Sequence, residues 1–133
     1  MRTDGLSDSS EHIREVMSII RPLYYSIRIQ GRRLYILLDS IIYAEKNNND
    51  LIIHGVKHRY LQRKNLYDFA SEITMITNSF LKISRSFMVN MAHIKSIKAR
   101  IMTLSNGDQL TIPQKRLPEI KIAYYNYLNT AEK

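Results

Sequence analysis

The sequence contains no cysteine and no tryptophan, and only four of its 133 residues are glycine. Without cysteine there is no disulfide, no thiolate metal site and no cysteine nucleophile. So few glycines argue against a glycine-rich phosphate-binding loop, and the catalytic motifs GxSxG and HExxH are missing. The four histidines are scattered without a third ligand at metal spacing. These absences predict a protein that is not an enzyme, with no cofactor, no metal and no small-molecule substrate.

Long apolar runs are also missing. No stretch approaches the roughly 20 apolar residues that a membrane-spanning helix requires, and residues 1–10 lack the apolar block of a signal peptide. Together with the absence of cysteine, this predicts a cytoplasmic protein without a membrane partner.

Charge is abundant but unevenly distributed. The formal net charge is +8, yet residues 1–22 carry three basic and four acidic side chains, whereas residues 23–133 carry 17 basic and 8 acidic ones, a balance of +9. A basic body predicts a polyanionic partner, because each Lys or Arg placed on a phosphate releases counterions. Charge alone leaves open that the protein is merely a soluble basic one.

Periodicity divides the chain at residue 22. Residues 1–22 are predicted to be a leader and an extra N-terminal helix over residues 11–21, which would serve as a linker, a cap or a dimer element. From residue 23 to residue 133 the alternation of apolar and polar residues predicts one mostly β domain of the α+β class. About eight strands are expected, at residues 24–30, 34–38, 51–54, 56–63, 80–83, 87–91, 97–104 and 109–112, with a short apolar piece over 40–45, a helix over 66–76 and a C-terminal helix over 117–128.

Three polar loops interrupt these elements. They hold the residue types that read base edges: Arg and Lys for guanine, Asn and Gln for adenine, and hydroxyls and amides for phosphates. Taken singly, each loop could equally be an ordinary hairpin turn or a solvated start of a helix. The candidate DNA-binding residues are Lys46, Asn48 and Asn49 in the first loop, Arg85 and Ser86 in the second, and Gln114, Lys115 and Arg116 in the third.

One stretch has a specific pattern. Residues 80–94 read FLKISRSFMVNMAHI, which resembles the core motif of the LytTR family: Phe, a polar strand, His-Arg-Ser, an aromatic, two apolar residues, Asn, and Ile further on. Upstream, residues 39–45 resemble the family's Asp-Ile-x-Tyr-Ile-Glu element, and downstream Asn106-Gly107 with residues 110–116 resembles its closing hairpin and basic loop. The resemblance covers about residues 25–128. Ser84 stands where the family usually has histidine, and Pro113-Gln114 where a small hydroxyl residue is common.

The resemblance implies both a fold and a function. Family members are bacterial transcription regulators, many with a receiver domain, built as an elongated sandwich of small antiparallel β-sheets. It implies sequence-selective binding of double-stranded promoter DNA, with loops that enter successive major grooves, paired direct repeats as targets, and a homodimer on DNA. The family's contact positions fall on the three loops, whereas Asn90, at a strand end, is expected to tie down neighbouring backbone.

Two other functions remain open from the residues alone. A single-stranded RNA-binding module would stack bases on its tyrosines, although Tyr124, Tyr125 and Tyr127 fall on a predicted helix. A protein-interaction domain would dock a partner through one of its helices.

Overall fold

The computed structural model describes residues 22–131. The leader and the helix predicted over residues 11–21 lie outside the described residues, so the predicted division at residue 22 stays a prediction.

The described chain is made mostly of short strands. Their bounds are β1 Tyr24–Ile29, β2 Arg32–Leu37, β3 Ile41–Asn47, β4 Asp50–Gly55, β5 Arg59–Gln62, β6 Phe80–Lys82, β7 Phe87–Asn90, β8 Ile94–Lys98, β9 Ile101–Leu104 and β10 Gln109–Thr111. Helix α1 (Leu66–Thr74) lies between β5 and β6, and helix α2 (Leu117–Ala131) ends the described chain. Single 3-10 turns occur at Leu38–Ser40, Met91–His93 and Gln114–Arg116.

These strands form three antiparallel sheets. The central sheet has five strands in the order β5-β4-β3-β7-β6, the second is the β1-β2 hairpin, and the third has the order β10-β9-β8. The prediction of a mostly β fold of small antiparallel sheets with a short helix and a C-terminal helix is therefore confirmed.

Two hydrophobic cores lie on opposite faces of the central sheet. Strand β3 contributes to both, with Ile41 and Ala44 on one face and Ile42 and Tyr43 on the other. The first core is shared with the β1-β2 hairpin and α1, and the second with the three-stranded sheet and α2. Within the described residues both faces of the central sheet are therefore covered by other elements, and its turns lie at its two ends.

Helix α1 begins as its sequence predicts. The side chain of Asn65 accepts a hydrogen bond from the backbone N–H of Asp68 at 2.7 Å, which makes Asn65 the N-cap of the helix. Leu66, Phe69 and Ile73 are buried on one stripe of the helix.

Two predicted strands were wrong in their extent. The strand expected over residues 97–104 is two strands, β8 and β9, joined by a turn at Ala99-Arg100 in which Ala99 has a φ of 53°. Alanine rarely adopts this left-handed conformation, so nothing in the sequence indicated a turn. The strand expected over residues 56–63 begins only at Arg59, because the N–H of Gly55 bonds to the carbonyl of His58 and closes a tight turn. Val56, predicted to begin this strand, is 58% exposed in that turn.

Candidate nucleic-acid interface

The first two polar loops lie side by side. Strands β3 and β4 pair out to Asn47 and Asp50, so the first loop is a two-residue turn at Asn48-Asn49. Strand β7 is antiparallel to β3, with Phe87 opposite Glu45, and the N–H of Lys46 donates to the carbonyl of Ser86 at 2.8 Å. The two turns are therefore at the same end of the central sheet, about 10 Å apart, since two strand spacings of about 4.8 Å separate their centres.

The first turn presents its side chains outward. Lys46, Asn48 and Asn49 are all exposed. Asn48 has a φ of 58°, a conformation that Asn tolerates better than most residues because its short polar side chain bonds locally. The carboxylate of Asp50 lies 3.7 Å from Nε of Arg63, an ion pair that offsets its negative charge at this end of the sheet.

The second loop is ordered by its own residues. The N–H of Ser86 donates to Oγ of Ser84 at 3.1 Å, and the N–H of Ile83 donates to the carbonyl of Phe87 at 3.0 Å. Ile83 is fully buried beneath the turn. Ser84, which stands where the resemblance leads us to expect histidine, thus has a structural role as an acceptor. Arg85 is exposed and has no ion pair among the described residues, so its guanidinium is available to a ligand.

The third loop is fixed beside the second by Arg116. Its Nη1 donates to the carbonyl of Lys82, the last residue of β6, at 2.6 Å, and its Nε donates to Oε1 of Glu119 at 2.8 Å. Gln114 and Lys115 are exposed on the 3-10 turn, whereas the side chain of Arg116 is only 33% exposed. Arg116 therefore positions the loop, and Gln114 and Lys115 are its outward side chains. We call this end of the molecule, with the turns 48–49 and 84–86 and residues 113–116, the loop edge.

Three basic residues at the loop edge were missed from the sequence. Arg63 follows β5 beside Asp50, Lys98 is the last residue of β8, and Arg100 lies in the β8-β9 turn. Arg100 lies against the third loop, because its Nε donates to the carbonyl of Ile112 at 2.9 Å and its own carbonyl accepts from the N–H of Ile112. Lys98 and Arg100 were missed because the sequence predicted one continuous strand across the β8-β9 turn.

The opposite end of the central sheet is held by a buried polar residue. Asn90 is 1% exposed, and its Nδ2 donates to the carbonyls of Leu38 and Ile41 at 3.3 and 3.0 Å. Its Oδ1 accepts from the N–H of Ala92 at 3.1 Å. The three bonds tie the end of β7 to the start of β3, which is the architectural role expected of this residue.

The displaced pKa values belong to structural contacts in the cores. Burial, followed by a hydrogen bond to Asp108, raises the pKa of Tyr43, and burial with a bond to Glu72 raises that of Tyr25. Burial favours the neutral form of Glu72, but hydrogen bonds from Lys64 and Tyr25 outweigh it and lower its pKa. For both tyrosines burial is the first cause of the raised pKa and a hydrogen bond between separate elements of the fold adds to it, so these three shifts indicate structural contacts and not a reactive group.

Other kinds of site find no support in the described part of the chain. Within residues 22–131, no three His, Asp or Glu side chains lie close enough together to hold a metal ion. Neither helix of that part of the chain is long and apolar enough to cross a membrane.

Comparison with known proteins identifies the family to which this fold belongs. The family model of the LytTr DNA-binding domain matches residues 31–124, which is most of the chain, so the protein belongs to the LytTr DNA-binding domain family. A solved LytTr DNA-binding domain from Bacillus cereus, in a protein described as a putative methyl-accepting/DNA response regulator, superposes with a TM-score of 0.63 at 18% identity, covering 75% of this chain and 94% of that one. No curated protein sequence matches the chain. The function of the family is DNA binding in transcription regulation, and it is the function of this protein.

Proposed function

We propose that the loop edge is the surface that binds DNA, and that it reads the sequence of a double-stranded promoter in the bacterial cytoplasm. The observation that supports this is convergence: three polar loops, drawn from residues 48–49, 84–86 and 113–116, meet at one end of the central sheet. Their exposed side chains are the amides, guanidinium and ammonium groups that bond to base edges and phosphates. The activity is binding alone, without catalysis or a cofactor.

The distances between the loops limit which base pairs of the duplex each loop can contact. The first and second turns are about 10 Å apart, much less than the roughly 34 Å between successive major grooves on one face of DNA. Asn48, Asn49 and Arg85 therefore contact neighbouring base pairs. The third loop is bound to β6 through Arg116, and β6 lies about 12 Å from the centre of the first turn by the same strand spacing. It therefore reaches a separate part of the site, so that the edge as a whole follows the duplex.

Recognition of single-stranded RNA is less well supported. Tyr124 and Tyr127 are partly buried against the second core, and the hydroxyl of Tyr124 donates to the carbonyl of Ile94. Two of the three candidate rings are therefore occupied in packing α2, and only Tyr125 among them is exposed. A stacking platform for successive bases needs several exposed rings along a basic groove.

The experiment is selection of random duplex DNA on the protein, followed by titration of the enriched sequence. We expect one enriched motif, and we expect unlabelled duplex of that sequence to compete far better than a scrambled duplex or single-stranded RNA. Enrichment of no motif, with equal competition by every nucleic acid, would contradict sequence-selective binding.

A second proposal concerns the number of sites. One domain that reads a few base pairs gains roughly 1–3 kcal/mol of selectivity from each. This is too little to select one promoter in a genome with on the order of a million competing sites. We therefore propose that two copies bind paired direct repeats about 10–10.5 base pairs apart, as a homodimer formed on DNA. Probes with one site, two in-phase sites and two sites offset by half a turn test this, and equal affinity per site at every spacing would disprove it.

A further inference from the structure

The tip of the β1-β2 hairpin carries three arginines. The strands are joined by a two-residue turn at Gln30-Gly31, in which both residues have positive φ. Arg28, Arg32 and Arg33 flank this turn and are all exposed. Within the described residues, none of the three is paired with a carboxylate. The tip is therefore a cluster of positive charge without compensation from this part of the chain.

The pairing of two of these arginines is unfavourable for folding. Arg28 lies directly opposite Arg33 across the antiparallel pair. Like charges in directly opposed positions destabilise a sheet, and the one side-chain partner seen nearby is neutral: Nη1 of Arg33 donates to Oγ of Ser26 at 2.6 Å. Departures from such local rules are expected where a residue serves a ligand instead of the fold. A polyanion on the outer face of the hairpin would remove the repulsion.

The hairpin points its tip toward the loop edge. Its base is bound at the other end of the central sheet, where the N–H of Leu38 donates to the carbonyl of Leu23 just before β3 begins. Near the tip, Nε2 of Gln62 donates to the carbonyl of Arg28 at 3.2 Å. Gln62 pairs with Leu51, the second residue after the first loop. The three arginines therefore extend the loop edge beyond β5, on the side away from the third loop.

We infer that this hairpin tip is a fourth DNA contact, one that holds the sugar-phosphate backbone flanking the bases read by the first loop. The inference rests on the proposed DNA-binding role of the loop edge. Phosphates are the expected ligand, because three of the exposed side chains at the tip are guanidinium groups and Gln30 is the one amide among them. The tip is bonded to Gln62 of β5, and β5 lies about 7 Å from the centre of the first loop by strand spacing, which corresponds to roughly two base pairs along the duplex.

The test compares two variants in which the same charge is removed. Arg28→Gln with Arg33→Gln removes two positive charges from the tip, and Lys57→Gln with Lys95→Gln removes two from exposed positions at the other end of the molecule. Affinity is measured against salt concentration on the selected duplex with long flanks, and on the same duplex cut back to the bases that the loops protect. Thermal melting of each variant is measured in parallel.

The tip variant should lower the slope of log affinity against log salt by about 0.9 for each phosphate that the tip no longer holds, so by about 1.8 in all. Each phosphate contact accounts for about a 3.5-fold loss of affinity when the salt concentration rises from 50 to 200 mM. This decrease should occur on the long probe and disappear on the short one. The melting temperature should stay the same or rise, because a like-charge pair has been removed.

Several results would overturn the inference. A salt slope equal to that of the control variant, or an equal decrease on both probes, would show only an effect of net charge. A change in self-association of the tip variant, measured by sedimentation without DNA, with unchanged DNA binding would assign the tip to an acidic surface of a second copy. Failure of the proposed function is distinct from all of these, since the unaltered protein would then show no preference for the selected duplex.

Discussion

The two ends of the central sheet use the same residue types in opposite ways. At the far end, Asn90 directs its whole amide into the protein, onto the carbonyls of Leu38 and Ile41 and the N–H of Ala92. At the loop edge, Asn48 and Asn49 are exposed and face solvent. One end therefore uses polar groups to fix the fold, and the other presents them to a ligand.

The same contrast appears within the loop edge between two arginines. Arg116 bonds to Lys82 and Glu119 and holds a loop in place, whereas Arg85, about one strand pair away, is exposed and without an ion pair among the described residues. Residue type alone does not assign a role here. The role follows from whether the hydrogen-bond donors of the side chain are already satisfied by the protein.

The largest effect on stability is expected when the buried asparagine at the far end, Asn90, is replaced by alanine. Asn90→Ala removes the side-chain partner of the Ile41 carbonyl and of the Ala92 N–H, whereas the carbonyl of Leu38 still accepts from the N–H of Ile41. The cost is about 1–3 kcal/mol for each buried group left unpaired. Allowing for relaxation, we expect unfolding to become easier by about 3 kcal/mol, seen as a fall of about 10 °C in melting temperature. Asn49→Ala is the matched control and should change stability by less than about 0.5 kcal/mol. Equal stability of the two variants would refute the contrast between the ends.

Arg85→Ala should have the reverse signature. Removal of one bidentate base contact costs roughly 1–3 kcal/mol of binding free energy, so affinity for the selected duplex should fall about 5-fold to 150-fold while the melting temperature stays constant. Lys57→Ala, which removes one positive charge at the far end, should leave selectivity intact. A variant that unfolds, or that binds as tightly as the original protein, would show that Arg85 is not a base contact.

Adjacent residues in the third loop sharpen the comparison. Arg116→Ala removes charged hydrogen bonds that hold the loop on β6, so it should lower stability by about 1 kcal/mol as well as weaken DNA binding. Lys115→Ala should leave stability unchanged. If Lys115 contacts a phosphate, affinity for all sequences should fall together and the salt slope should drop by about one. Should both variants melt alike, Arg116 would not be a positioning residue.

Much of this arrangement could be predicted from the sequence, because its signals are local. Alternation located most strands, and the polar loops stood out between apolar strands. The family resemblance added the order of the elements. The roles of the candidate residues could not be predicted in the same way, since they depend on distant partners: Arg116 on the carbonyl of Lys82, and Ser86 on the N–H of Lys46.

The missed turn at Ala99-Arg100 shows a second limit. A left-handed alanine carries no sequence signature, so the turn is imposed by the pairing of β8 with β9 rather than by its own residues. Tertiary pairing overrode local preference there, and it brought Arg100 to the third loop. For the same reason the sequence did not predict that these basic residues lie close together. Which turns lie at the same end of the molecule depends on how the strands pair in three separate sheets.

The smallest effect expected concerns the first turn, where two substitutions of one residue separate conformation from contact. Asn48 has a φ of 58°. Glycine adopts this conformation without steric cost, so Asn48→Gly removes the amide and keeps the turn, whereas Asn48→Ala adds a strain of about 1 kcal/mol. If the amide reads a base, both variants should lose discrimination at the same base pair, next to the one read by Arg85, because the two turns are only about 10 Å apart. Only the alanine variant should also melt at a lower temperature. Titration of probes changed at one base pair at a time, with melting of each variant, measures both quantities. Full discrimination by Asn48→Gly, with weaker discrimination in Asn48→Ala alone, would show that Asn48 serves the shape of the turn, and would move this residue from the binding end of the comparison to the structural one.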